Sequence, residues 1–127
     1  MSGRYQDLRV WQEAMALAKE IYIATERLPK HELYGLTSQM RRAAVSVASN
    51  IAEGKGRRTD KEFCHFLYTA RGSLFEIETQ VQLGAELRYF REDSKKALMV
   101  SVSKVARSLT GLIHAVEEEL VRGAGAR

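Results

Sequence analysis

Proline and cysteine are almost missing from this chain: Pro29 and Cys64 are the sole examples of each in 127 residues. With one proline, long stretches hold nothing to break a helix, since the missing N–H and the ring are what a helix interior rejects. With one cysteine, an intramolecular disulfide is excluded and no pair exists for a zinc site. A lone thiol fits a reducing compartment. No window approaches about eighteen uninterrupted apolar residues, so no membrane span is expected. The opening Met-Ser-Gly-Arg-Tyr-Gln-Asp has no apolar run and does not read as a signal peptide. The expectation is a cytoplasmic protein. Strand-like alternation is absent, as is any repeat of solenoid length.

What is present is helical periodicity. Apolar residues make up 45% of the chain and charged ones 28%, an ordinary globular balance over a length that predicts one domain, residues 1–127. A first helix is predicted over about 5–27. Leu8, Trp11, Met15, Ala18, Tyr22 and Thr25 form one row on it, and Val10, Ala14, Leu17, Ile21, Ala24 and Leu28 form another beside it. Together the rows cover about half the circumference, wider than one core needs. A second helix is expected over 38–53, with Thr37 as its N-cap, Gly54 as its stop and Met40, Ala44, Val47 and Ile51 as its core row. Its many alanines and serines let a neighbouring helix come close.

Thr59-Asp60-Lys61-Glu62 has the form of a capping box and opens a third helix over 60–87. Its core row is Phe63, Leu67, Ala70, Leu74, Ile77, Val81 and Gly84. A fourth helix, over 94–120, carries Leu98, Val102, Val105, Leu109, Leu112 and Val116, and a frayed tail is expected over 121–127. Short connections favour antiparallel neighbours. The predicted fold is all-α: an antiparallel up-down-up-down four-helix bundle, oligomeric because its apolar faces exceed one core.

The net charge of +4 is unevenly spread. Between Leu36 and Lys61 lie Arg41, Arg42, Lys55, Arg57, Arg58 and Lys61 against only Glu53 and Asp60, whereas residues 62–87 carry Arg71 against Glu62, Glu76, Glu78 and Glu86. Arg41 and Arg42 fall near the start of the second helix, where the macrodipole disfavours cations. A carboxylate, a neighbouring subunit or an anionic ligand should offset that cost. Glu53 is misplaced in the opposite sense, in the last turn. Arg42, Ser46, Ser49 and Glu53 share one polar row. Lys55-Gly56-Arg57-Arg58 makes a basic loop beside the third helix's N-terminus, a favourable place for a phosphate. No aromatic interleaves that loop, so base stacking is not indicated there. The candidate nucleic-acid contacts are therefore Arg41, Arg42, Lys55, Arg57 and Arg58, with Asn50 and Glu53 as polar residues of the oligomer or the fold. The competing reading pairs the same cations off within or between subunits.

Several motifs recur in a specific order. Asp7-Leu8-x-Val10-Trp11-x-x-Ala14 is followed by Leu33-Tyr34-Gly35-Leu36-x-x-Gln39-x-Arg41-Arg42-Ala43-Ala44. Asn50-Ile51-Ala52-Glu53-Gly54-x-Gly56-Arg57 and Phe63-x-x-Phe66-Leu67-x-x-Ala70-x-Gly72-Ser73-x-x-Glu76 come next. Over about residues 5–120 this order closely resembles the bacterial four-helix-bundle proteins encoded within intervening sequences of 23S ribosomal RNA genes. The resemblance implies a homopentamer of four-helix protomers. It also implies likeness in fold to the accessory protein of diversity-generating retroelements, a basic pentameric barrel associated with a reverse transcriptase and nucleic acid. RNA or a nucleic-acid-processing enzyme is the partner it suggests, and it brings no catalytic residues.

Two enzymatic patterns are weaker. A di-iron bundle needs a Glu-x-x-His pair on each of two helices, and the chain offers Glu62-x-x-His65 once. No metal or cofactor is expected. Arg107 and His114, two turns apart, faintly match the HEPN ribonucleases, which are also helical bundles. Arg58 and His65 show the same spacing across a loop, however, and His114 lies off the core row. The sequence-based reading is a non-enzymatic homo-oligomeric bundle whose basic surface engages RNA or a nucleic-acid enzyme. The alternatives are a purely structural or protein-interaction module, and a HEPN-like ribonuclease.

Overall fold

The apolar rows become four helices packed around one another in a computed structural model that describes residues 3–125. They are α1 (Arg9–Thr25), α2 (Leu36–Lys55), α3 (Asp60–Glu86) and α4 (Glu92–Gly125), with short 3-10 turns at Tyr5–Asp7 and Lys30–Glu32. Helix α2 packs on α1 and α3, and α4 packs on α3 and α1, so α1 and α3 are diagonal, as are α2 and α4. This is the all-α bundle expected, with chain neighbours adjacent in space.

The core is built from the rows read in the sequence. Val10, Ala14, Leu17 and Ile21 of α1 face inward, as do Met40, Ala44, Val47 and Ile51 of α2. Every residue of the α3 row is buried, and α4 adds Leu98, Val102, Val105, Leu109 and Val116. Ile113 takes the buried place expected for Leu112, which is only partly covered. Each large side chain buried this way contributes about 1.5–3 kcal/mol.

Helix ends differ from the expected ones for identifiable reasons. The first helix does not run from residue 5 to 27: Leu8 is extended and separates the Tyr5–Asp7 turn from α1, which ends at Thr25. Thr37 does not cap α2, because it lies inside the helix and is buried. The cap comes from Glu32, whose Oε1 accepts from the Leu36 N–H at 3.1 Å. Gly54 does not stop α2 either. The helix continues to Lys55, and Gly56 closes it by donating to the Ala52 and Glu53 carbonyls. Gly54 serves packing instead: a Cβ there would stand 2.7 Å from Phe66 Cβ and 3.0 Å from Phe63 Cδ1. The expected capping of α3 is present, with Thr59 Oγ1 accepting from the Glu62 N–H at 3.1 Å.

Helix α3 ends in a Schellman turn, Tyr89 N–H to Gly84 O and Arg88 N–H to Ala85 O, with Arg88 at φ 64° where glycine is usual. The turn folds Phe90 onto Gly84 and brings the Tyr89 hydroxyl to Glu32 Oε2 at 2.9 Å. Helix α4 starts at Glu92, slightly before the expected residue. The tail expected to fray from 121 instead continues as helix to Gly125, and residues 126–127 lie outside the described residues. Arg122 holds that last stretch by pairing with Glu118 at 3.7 Å and Glu119 at 3.0 Å. A cation there also suits the helix dipole.

Two glycines should respond oppositely to alanine. Gly54→Ala should lower stability by about 1–3 kcal/mol, because overpacking against Phe66 outweighs the gain of up to about 1 kcal/mol in helix propensity. Gly111→Ala, with nothing within 4 Å of the new methyl, should raise stability by up to about 1 kcal/mol. Urea unfolding midpoints read both.

A pH effect follows from the Glu32 clamp. The Leu36 N–H, then the Tyr89 hydroxyl and the neighbouring His31, hold the Glu32 carboxyl below its ordinary range. A carboxylate depressed in the folded state stabilises above its unfolded pKa, and that contribution is lost as pH falls through the folded value. The stability difference between the parent and Glu32→Gln should therefore shrink as unfolding is measured at progressively lower pH below the carboxylate range.

Candidate functional site

The structure divides the basic residues into two groups. Arg41 and Arg42 lie near the start of α2, while Lys55, Arg57 and Arg58 lie at and beyond its end. At 1.5 Å per residue the groups stand on the order of 20 Å apart. They do not form one patch.

Arg41 folds back onto the end of α1. Its Nε donates to Thr25 Oγ1 at 2.9 Å and a terminal nitrogen to the Tyr22 carbonyl at 3.3 Å. Its guanidinium lies 4.7 Å from the centre of the Tyr22 ring. Within the protomer, the carbonyl end of α1 offsets the unfavourable dipole that Arg41 meets at the start of α2. Arg42 is exposed and has no hydrogen bond or ion pair among the described residues. At the other end, Arg57 pairs with Glu53 at 2.8 Å and covers the Phe66 ring at 4.8 Å. That exposed pair answers the misplaced Glu53, at no more than about 0.5 kcal/mol. Lys55 is partly buried and engaged, and Arg58 is exposed.

Asn50 is half-buried and hydrogen-bonded within the protomer. It donates to the Ser46 carbonyl at 2.8 Å and to Ser46 Oγ at 3.0 Å, and Ser46 Oγ in turn meets Ser73 Oγ of α3 at 2.9 Å. Ser46 therefore sits on the α2–α3 seam. The polar row of Arg42, Ser46, Ser49 and Glu53 therefore turns in part toward α3.

One unfilled feature is apolar. Of the two rows read on α1, the Val10 row fills the core, but Met15 and Tyr22 of the other row remain about 40% exposed. With Tyr5, Trp11, Ala18, Ile23 and, from α2, Val45, Ala48 and Ala52, they line a groove of about 640 Å³ along the α1–α2 face. It continues past Tyr22 and Val45 into a second depression, of about 680 Å³, where Leu33, Tyr34, Arg41 and Arg42 converge. Tyr34, 93% exposed, is an aromatic beside the arginines that sequence reasoning passed over. Its place in the Leu33-Tyr34-Gly35 turn was the available signal.

The enzymatic candidates are placed as follows. His114 and Arg107 are exposed on α4, and His114 shares a shallow depression with Glu117, Glu118, Val121 and Arg122. The Cys64 thiol is buried, and burial, then Glu117 and Asp60, push its pKa up. It stays a thiol at neutral pH, a poor nucleophile. Among the described residues no three His, Cys, Asp or Glu side chains gather to hold a metal ion, and no helix is long and apolar enough to cross a membrane.

This architecture and sequence have known counterparts. The family model of the 23S rRNA-intervening sequence protein matches residues 6–111. The chain belongs to that family. Its fold is similar to the crystal structure of a protein of unknown function from the S23 ribosomal protein family of Bacteroides thetaiotaomicron, at TM-score 0.77 and 18% identity over 83% of this chain and 95% of that one. At that identity the likeness is one of fold. No curated protein matches the chain. Within this intervening-sequence family member, the motifs quoted from sequence now have structural roles. Trp11 packs edge-on to Tyr5 at 5.3 Å, Arg41 ties α2 to α1, and Gly54 admits Phe66.

Neighbouring arginines should behave unlike each other. Arg41→Ala should cost about 1–2 kcal/mol through the lost hydrogen bonds and ring contact. Arg42→Ala in the isolated protomer should fall within about 0.5 kcal/mol of the parent. Thermal unfolding at low protein concentration measures the contrast.

Proposed function

We propose that this intervening-sequence family protein is a non-enzymatic assembly protein: a homo-oligomer of four-helix protomers that presents its Lys55–Arg58 end to RNA or to an enzyme acting on RNA. The observation that carries the reading is the open apolar groove of α1 and α2. A groove lined by Trp11, Met15, Tyr22, Ile23 and Val45 is a costly surface to leave in water, and exposed patches of this kind mark contacts with other macromolecules. A ring of five is the state implied by the family resemblance. The same resemblance, and the family's tie to 23S rRNA, favour a polyanionic partner over a small-molecule substrate.

Repetition of the Lys55, Arg57 and Arg58 end around an oligomer makes a basic rim, and many weak phosphate contacts become an avid one. Arg58 is the residue best placed for this, being exposed at the loop before α3. One observation favours the purely structural alternative: Arg41 and Arg57 are already engaged inside the protomer. Under that reading the cations serve the fold and the oligomer, and RNA affinity is absent.

The two readings separate in a paired measurement of oligomer mass and affinity for a single-stranded RNA at two salt concentrations. The parent should run as a multiple of 14.4 kDa and bind RNA with an affinity that falls steeply with salt. Arg57→Glu with Arg58→Glu should abolish binding and leave the mass unchanged. A stable monomer would sink the assembly reading. A parent oligomer with no RNA affinity at low salt would leave the structural module standing.

A further inference from the structure

We infer that the depression between the Leu33–Gly35 turn and the start of α2 takes an unpaired nucleotide of a single-stranded RNA, its base stacked on Tyr34 and a neighbouring phosphate at Arg42. This rests on the RNA reading above and goes beyond it, because the site lies at the other end of α2 from Lys55–Arg58.

Tyr34 is 93% exposed, the least covered of the large apolar side chains. Neither its ring nor its hydroxyl has a ring or hydrogen-bond partner among the described residues. One exposed apolar residue is ordinary by itself. This one stands on a turn that is tied down. The Leu33 N–H donates to the Lys30 carbonyl at 3.1 Å, and the Gly35 N–H to the Glu32 carbonyl at 2.9 Å. Glu32 Oε1 accepts from the Leu36 N–H while Oε2 takes the Tyr89 hydroxyl, which fastens the turn to the α3–α4 corner. Gly35 makes room for that carboxylate, since a Cβ there would stand 2.6 Å from Glu32 Oε1. The backbone that carries the ring is thus ordered before a ligand arrives, and less freedom is lost on binding.

The charges beside the ring are not neutralised. The depression of about 680 Å³ is lined by Ser38, Arg41 and Arg42 along with Tyr22, Tyr34 and Val45, and by no acid. Arg42 has no ion pair, and Arg41 meets only neutral groups, the Thr25 hydroxyl and the Tyr22 carbonyl and ring. The adjoining groove adds Lys19 and again no acid. Of the carboxylates at this end, Glu32 is occupied by Leu36 and Tyr89. Glu76, one turn beyond the Ser73 that meets Ser46, comes level with Arg42 from α3 but forms no ion pair with it, and Glu26 pairs with neither arginine.

Free cations call for an anion, and a bare aromatic face calls for a flat apolar partner. A nucleotide joins the two. The rise from the turn to Arg42 is on the order of 12 Å, so a strand stacked on the ring brings its adjoining phosphates toward the guanidinium. Bases in a duplex are already stacked on one another, so the ring selects an unpaired base. An acidic peptide would satisfy the arginines and leave Tyr34 in water.

The test measures affinity for a short single-stranded oligoribonucleotide and for an abasic strand of the same length, together with oligomer mass. Tyr34→Ala should weaken binding of the oligoribonucleotide by about 5- to 150-fold, the worth of one stacked base, and leave the abasic strand unaffected. Tyr34→Phe should bind like the parent, because the ring and not the hydroxyl does the stacking. Arg42→Ala should flatten the salt dependence by about one counterion. Both exposed sites should leave the mass unchanged. Parent-like RNA affinity in Tyr34→Ala, alongside lost affinity in the Arg57→Glu, Arg58→Glu variant, overturns this site and leaves the RNA reading standing. Equal weakening on the abasic strand also overturns it, since the partner of Tyr34 is then not a base. A changed mass assigns the ring to a contact between copies and overturns it as well. A parent without RNA affinity at low salt overturns both.

Discussion

Helix α2 can approach α3 as closely as it does because Gly54 has no Cβ to meet Phe66, and the rest of the bundle is arranged around that contact. Close approach puts Ser46 within hydrogen-bonding distance of Ser73, and Asn50 completes the polar group by bonding back to Ser46. Ala43 and Ala44 of α2 are buried in the same core. Packed interiors tolerate neither voids nor excess volume, so one close contact fixes the neighbouring ones. The glycine is thus spent on proximity and cannot end the helix, and Gly56 takes that role.

The bundle then resolves its charges by geometry. In an up-down arrangement the start of each helix lies beside the end of its predecessor. The cation Arg41, awkward at the positive end of α2, is consequently within reach of the carbonyl end of α1. Glu32 works in the same corner with opposite sign: an anion accepting the Leu36 N–H at that helix start, held there by Tyr89 from the α3–α4 turn. These are links between elements that α1–α2 apolar packing alone would leave loosely joined. The surface left over carries the functional argument, because it retains an open apolar groove along α1 and α2.

Much of the fold was legible in the sequence because a helix repeats its neighbours every three or four residues. The inward rows on α2 and α3, the Thr59 cap and the order of the four helices all follow from local spacing. The doubled row on α1 was legible too, as an excess of apolar surface, and its outer part now lines the groove. Helix ends were less legible. Thr37 and Gly54 have the composition of a cap and a stop, but each was claimed by packing, a competition no local pattern displays.

By itself, then, the sequence determined that the chain is a family member built from four helices, which faces are apolar, and where positive charge is concentrated. These are properties of residue identity and spacing along one helix. Only the tertiary structure decided that Arg41 and Arg42 are separated from Arg57 and Arg58, and that Arg41 and Arg57 are engaged within the protomer. Those facts depend on how high one helix sits against the next. That height is set by contacts such as Gly54 with Phe66 and Ser46 with Ser73, between residues too far apart in the chain for periodicity to relate them.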